Sequence, residues 1–215
     1  MISLRFSYDA IFISSFVVAL SGAMMPGPLL TTTITESLRR GYMAGPLLIL
    51  GHGILELALL VLLLLGISPL FSKQWFFVSV SLSGGGILMW MAWSIVRTLP
   101  TLSLSGAGEA AEAKGKNLIL KGIAVSIANP YFTIWWATIG LGYIMHSMRL
   151  GTAAIAAFFA GHILADFAWY GIVSIAMSKG RHFLNTSIYR GIMATGAEVL
   201  ALFACWFIYS GLDRI

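Results

Sequence analysis

The stretch MAGPLLILGHGILELALLVLLLLGI, residues 43–67, runs 25 residues with one acid, one histidine and no lysine or arginine. About 20 such residues in a helix span the hydrocarbon core of a bilayer, so the stretch predicts a transmembrane helix. The rest of the chain is built in the same way. Of its 215 residues 59% are hydrophobic and only 10% charged, and its mean hydropathy is +0.90, well outside the range of a water-soluble domain. Further apolar runs lie at about 9–35, 74–97, 118–146, 150–178 and 188–212, which gives six spans with stretch 43–67 and leaves no room for a separate soluble domain. Helices are the expected state, because lipid offers no partner to an open backbone group and the ten-residue alternation of a barrel strand is absent. The fold class predicted is an all-α polytopic membrane protein.

With six spans, the connections after the first, third and fifth share one side of the membrane. They hold Arg39, Arg40, Arg97, Lys114, Lys116, Lys121, Lys179, Arg181 and Arg190, nine of the thirteen cations. The other side holds Arg5, Lys73, Arg149 and Arg214. The positive-inside bias places the richer side in the cytoplasm, both termini outside it, and the chain in the cell (inner) membrane. This distribution also accounts for the net charge of +5 without nucleic acid as a partner. A cleaved leader is not expected at Met1–Ala23, since the apolar run continues past the small residues Ser21, Gly22 and Ala23. The lone Cys205 lies in the last apolar run, so no internal disulfide and no thiolate metal site is possible.

The stretch Gly51-His52-Gly53-Ile54-Leu55-Glu56 aligns without gaps to Gly161-His162-Ile163-Leu164-Ala165-Asp166. Both read Gly-His-x-x-x-acid, in the second and fifth spans. The first span carries Pro26, Gly27 and Pro28, and the fourth, its counterpart, carries Asn129 and Pro130. Two halves follow, residues 1–97 and 118–215, joined by a cytoplasmic linker at 98–117 rich in Ser, Gly, Ala, Glu and Lys. Each half holds three crossings, an odd number, so the second enters from the opposite side. The expected architecture is two inverted three-helix repeats with broken first and fourth helices, and a binding site near the midplane where the halves meet.

His52 and Glu56 are four residues apart and share one helix face, as do His162 and Asp166. All four fall near mid-bilayer, where an ionisable side chain is costly and marks a transport path or proton relay by default. They are the candidates for proton coupling, each pair able to hold or release a proton near neutral pH. A purely structural role, each imidazole bonding a carboxylate to hold helices together, is the competing reading. Pro28 and Pro130 suit the first position of a new half-helix, with Asn129 able to cap it. Two such starts would aim backbone N–H groups at an anion such as a carboxylate. Pro26, Gly27, Pro28, Asn129, Pro130, Thr31 and Tyr131 are therefore the candidate substrate-binding residues. An ordinary proline kink is the alternative at both breaks. Trp135 and Trp136 are expected as packing or belt residues, and Glu36 as a local interfacial ion pair with Arg39 and Arg40. Gly41, Gly45, Gly191 and Gly196 are expected at close helix approaches. Glu198 has no partner visible in the sequence.

The stretch from Gly22 through Pro26-Gly27-Pro28 to Gly41, Gly45 and Gly51 resembles the N-terminal signature of the lysine exporter (LysE) type translocators. Asn129-Pro130 with Tyr131, Phe132 and the Trp pair is similar to their fourth-helix signature, and the resemblance extends over essentially the whole chain. It implies secondary-active export of amino acids or related small zwitterions, driven by the proton gradient or membrane potential. In that reading the substrate carboxylate meets the two half-helix starts while its ammonium competes with protons for Glu56 and Asp166. The alternative takes His52, Glu56, His162 and Asp166 as ligands for an exported divalent cation such as Zn or Mn, and the wider superfamily includes heavy-metal exporters. No cofactor and no enzymatic activity are expected, for want of a nucleophile or cofactor ligand set. Protons, a small solute and lipid are the expected partners, and glycine-lined faces allow a homodimer.

Overall fold

The computed structural model describes residues 2–25, 27–71, 73–101, 117–180 and 185–214, and among these the secondary structure is helical with no strand. Helix α1 (Ile2–Ala23) is followed, across a break at 24–27, by α2 (Pro28–Arg40). Helix α3 (Ala44–Leu62) loosens into a π turn, Leu63–Ile67, where Gly66 has a positive φ of 96°. Next comes α4 (Gln74–Thr98). The second half of the chain holds α5 (Leu118–Ile127), α6 (Pro130–Met148), α7 (Thr152–Lys179) and α8 (Thr186–Leu212). The central part of the linker, residues 102–116, lies outside the described residues.

Four helical stretches, Ala44–Ile67, Gln74–Thr101, Thr152–Lys179 and Thr186–Leu212, are each long and apolar enough to cross a bilayer. The other two spans are bent pairs. From Tyr8 on, α1 meets α2 at 76°, and α5 meets α6 at 68°, so counting each pair as one span makes six. Both bends sit where the sequence can neither continue a helix nor leave backbone groups unsatisfied. Pro28 occupies the first turn of α2, where its missing N–H would be unpaired anyway. At α6 Pro130 does the same, and the Asn129 side chain accepts a hydrogen bond from the Tyr131 N–H at 3.1 Å. The first span extends past its expected end near 35, because α2 runs on to Arg40 and stops at Gly41, whose φ of 86° only glycine adopts cheaply.

The helices pack as α1 on α7, α3 on α5 and α4 on α8, with α2 and α3 also lying against α7. Small residues set the closest approaches. A Cβ on Gly51 of α3 would overlap the Ile119 carbonyl of α5, and one on Gly122 of α5 would overlap the Leu48 carbonyl of α3. Gly161 of α7 faces Phe12 and Ser15 of α1 in the same way. Gly45 meets Tyr170 and Ser174, as expected of a close contact, whereas Gly41 acts as a helix cap and Gly191 has open space around it. Between α4 and α8 the core is Leu88, Ala92, Leu200, Ala204 and Phe207. A second core joins α1, α6 and α7 through Ile11, Trp135, Trp136, Ile144, Ala154 and Phe158.

Glu36 departs from its expected interfacial place. Its side chain is buried, paired with Arg40 Nε at 2.7 Å and also with Lys121 Nζ from α5. The pairing thus bridges two half-helices instead of staying within one. The physical reason is the tight α3–α5 contact, which draws the start of α5 against α2.

Candidate functional site

The close packing of α3 and α7 brings all four ionisable residues of the repeated motif to one point. Helical spacing puts His52 above Glu56 and His162 above Asp166 on facing surfaces. His162 Nε2 lies 2.7 Å from Glu56 Oε1, His52 Nε2 3.1 Å from the same oxygen, and Asp166 Oδ2 stands 3.6 Å from His162 Nε2 and 3.9 Å from His52 Nε2. Each of the four residues is at most 8% exposed. Glu56 Oε1 thus meets both imidazoles, and it also accepts the indole N–H of Trp136 at 3.1 Å.

The cluster forms part of the wall of a cavity of about 80 Å³ that is also bounded by Gly27, Pro28, Asn129 and Tyr131. A cavity needs at least about 10–15 Å³ to hold one water, so that space takes several waters or a small solute. Its remaining walls are apolar or aromatic, among them Leu88, Leu200, Phe203, Trp135 and Phe132. Both helix breaks and both His-carboxylate pairs therefore border one space. Glu56 Oε2, Asp166 Oδ2 and His162 Nδ1, in residues of that wall, are buried without a hydrogen-bond partner among the described residues. A buried polar atom in that state is costly, and a solute or ion able to satisfy it is favoured.

Of the other sequence candidates, Pro26 lies outside the described residues. Thr31 stands apart from the cavity. Its hydroxyl donates to the Gly27 carbonyl at 3.0 Å, and it packs beside Gly196. Glu198 is exposed on α8. Trp135 and Trp136, expected in packing or belts, are buried and line the cavity, with ring centroids 4.6 Å and 5.4 Å from that of His162. Nothing in local spacing marks this, since both rings reach α7 across a helix interface. Ser126 and Tyr170 were likewise invisible from spacing alone. Ser126 places its Oγ 2.7 Å from His52 Nδ1, and Tyr170 follows Asp166 by one helical turn into the cavity.

Fold and site together define a multi-pass helical membrane protein whose broken helices border a mostly apolar cavity with a buried His-carboxylate cluster in its wall. The sequence profile of the LysE type translocators matches residues 20–211, and the chain belongs to that family. It is similar to the chemotactic transduction protein ChpE of Pseudomonas aeruginosa, 27% identical over 204 residues that cover 90% of this chain and 94% of that protein. No solved structure matches it significantly. Membership makes the protein a membrane transporter of small solutes, as the sequence resemblance implied.

Proposed function

We propose that the protein exports an amino acid or a related small zwitterion in exchange for protons, by alternating access at the cavity between α3 and α7. The observation that carries this reading is the convergence of His52, Glu56, His162 and Asp166 on a space also bordered by the starts of α2 and α6. A zwitterion needs both poles satisfied. Its carboxylate meets the uncapped N-terminal end of α2 after Gly27-Pro28. At α6 the Asn129, Tyr131 and Phe132 N–H groups are already bonded, so that end contributes its dipole and the neighbouring Tyr131 side chain. Its ammonium meets Glu56 and Asp166, whose second oxygens lack partners. Leu88, Leu200 and Phe203 suit an apolar side chain, and the volume suits a small one.

Coupling follows from competition. The carboxylates hold either protons or the substrate ammonium, so a site that must exchange one for the other on each side links the two fluxes. His52 and His162 adjust that exchange as local proton donors and acceptors. The halves 1–97 and 118–215 are read as inverted repeats. Support comes from the way Gly51 of α3 seats on α5 while its counterpart Gly161 of α7 seats on α1, with a bend in the matching helix of each half.

The test is counterflow in proteoliposomes loaded with a panel of neutral amino acids, with an internal pH dye. Solute-dependent proton movement is expected for wild type and its loss for Glu56→Gln with Asp166→Asn. Unimpaired flux in that double variant would end the proposal.

A second reading has its own observation. The closest His–carboxylate separations run from 2.7 to 3.9 Å, bracketing the roughly 3.3 Å between ligands of a tetrahedral ion held at about 2.0–2.1 Å. His52, Glu56 and Asp166 can bring one ligand atom each within 4.8 Å of one another, and with His162 on the same Glu56 oxygen the set suits zinc or manganese as an exported cation. Zinc flux in the same vesicles, with none of amino acids, would replace the first reading by this one.

A further inference from the structure

We infer that Ser126 is a positioning residue that fixes the tautomer of His52, directing the bare Nε2 of the neutral ring at Glu56. A serine hydroxyl has one hydrogen to donate and lone pairs to accept with. The Ser126 hydroxyl donates to the Gly122 carbonyl, one turn back along α5, at 2.8 Å, the local back-bond that serines make in helices. Its Oγ also stands 2.7 Å from His52 Nδ1. With that hydrogen on Gly122, Ser126 accepts from the ring, and His52 Nδ1 carries the hydrogen that is donated; the opposite arrangement would need the hydroxyl to leave the Gly122 carbonyl.

A neutral imidazole carries a single N–H. With that hydrogen on Nδ1, Nε2 presents a lone pair 3.1 Å from Glu56 Oε1. Two lone pairs at that distance repel unless a proton lies between them, on the acid or on the ring. The Ser126 contact therefore forces one proton into the His52–Glu56 gap whenever that contact is made. Phe132 keeps the ring edge-on, with centroids 5.5 Å apart, and the close approaches at Gly51 and Gly122 hold α5 near enough for the hydroxyl to reach.

The second imidazole has no such restraint. His162 Nδ1 is buried without a partner among the described residues, so its tautomer is set only by Nε2 at the same Glu56 oxygen. Ser126 lies three residues before Asn129, and the residue three before Gly27 in the first half is Met24, which has no hydroxyl. The two motif copies, alike in sequence, are thus chemically unequal. His52 is held with its hydrogen on Nδ1 by a serine, whereas His162, whose Nδ1 has no partner among the described residues, donates from Nε2 to Glu56 at 2.7 Å. For exchange this makes His52 the acceptor at Glu56 and His162 the donor, a consequence that rests on the function proposed above.

The tautomer can be read without any solute. Purified full-length protein labelled with nitrogen-15 at histidine would be followed by imidazole NMR over the pH range in which it stays monodisperse, with the His52 signals assigned by their loss in His52→Asn. Wild type should show a hydrogen on Nδ1 at every pH. Ser126→Ala should show a bare Nδ1 at the upper end of the range, and Ser126→Thr should restore the wild-type pattern. Ser126→Val, matched in size to Thr, gives the same comparison where Ala fails to fold. A bare Nδ1 in wild type, or a protonated Nδ1 throughout in both Ala and Val, overturns the inference. Failure of the transport reading appears separately, as the expected tautomers without proton-linked flux.

Discussion

Glu56 Oε1 receives three nitrogens, yet only the Trp136 indole is a donor in every protonation state, so this bond is the constant element of the cluster. A hydrogen bond to a charged group contributes about 1.5–3 kcal/mol, which corresponds to roughly tenfold or more in an equilibrium. Trp136→Phe keeps an aromatic ring against Phe158 and His162 and removes only the donor. The initial export rate in proteoliposomes is expected to fall about tenfold, with a smaller loss for Trp135→Phe, whose ring contacts His162 but not Glu56. Equal losses in the two variants would show that ring packing, not the hydrogen bond, matters. At this scale the sequence was half legible. Spacing of four along one helix placed each histidine with its own acid, because that geometry is local. It could not place Trp136, Ser126 or Lys121, since each reaches its partner from a different helix, and Glu36 in consequence read as an interfacial pair.

The breaks in α1–α2 and α5–α6 were legible because proline and asparagine act on the backbone next to them, whatever the tertiary context. The seating of α3 on α5 was less so. Glycines at 51 and 122 signal a close approach but not the helix they approach, and each here faces a carbonyl of the other helix. Adding a methyl group to either must push the helices apart. Overpacking of that kind typically costs about 1–3 kcal/mol, and the displacement would also draw Ser126 away from His52. Gly51→Ala and Gly122→Ala are expected to lower the Tm of the detergent-purified protein by several degrees. Gly86→Ala is the control. A Cβ there meets nothing within 4 Å, and removing a mid-helix glycine is neutral or stabilising by up to about 1 kcal/mol. Similar Tm values for Gly51→Ala and Gly86→Ala would contradict the α3–α5 contact described above.

For the whole molecule, six apolar runs and their flanking cations carry the most information, because membrane insertion reads those features directly. They predict both an orientation and an inverted relation between the halves. If the halves are inverted, matching loops must open on opposite sides: the α2–α3 connection near Tyr42 inside, and its counterpart between α6 and α7 near Arg149 outside. The contact of Glu36 with Lys121 fits this scheme, since it joins the end of α2 and the start of α5, two segments that the charge distribution puts on the cytoplasmic side. The native Cys205, exposed on α8, is first replaced by Ser, and then Tyr42→Cys, Lys73→Cys, Arg149→Cys and Lys179→Cys are made one at a time. A membrane-impermeant maleimide applied to intact cells should label the variants at 73 and 149 and reach those at 42 and 179 only after permeabilisation. Labelling of 42 and 149 from the same side would mean that the halves are not inverted. The shared cavity would then need an explanation other than two repeats meeting at the midplane, because parallel halves would not present their bends to it from opposite faces of the membrane.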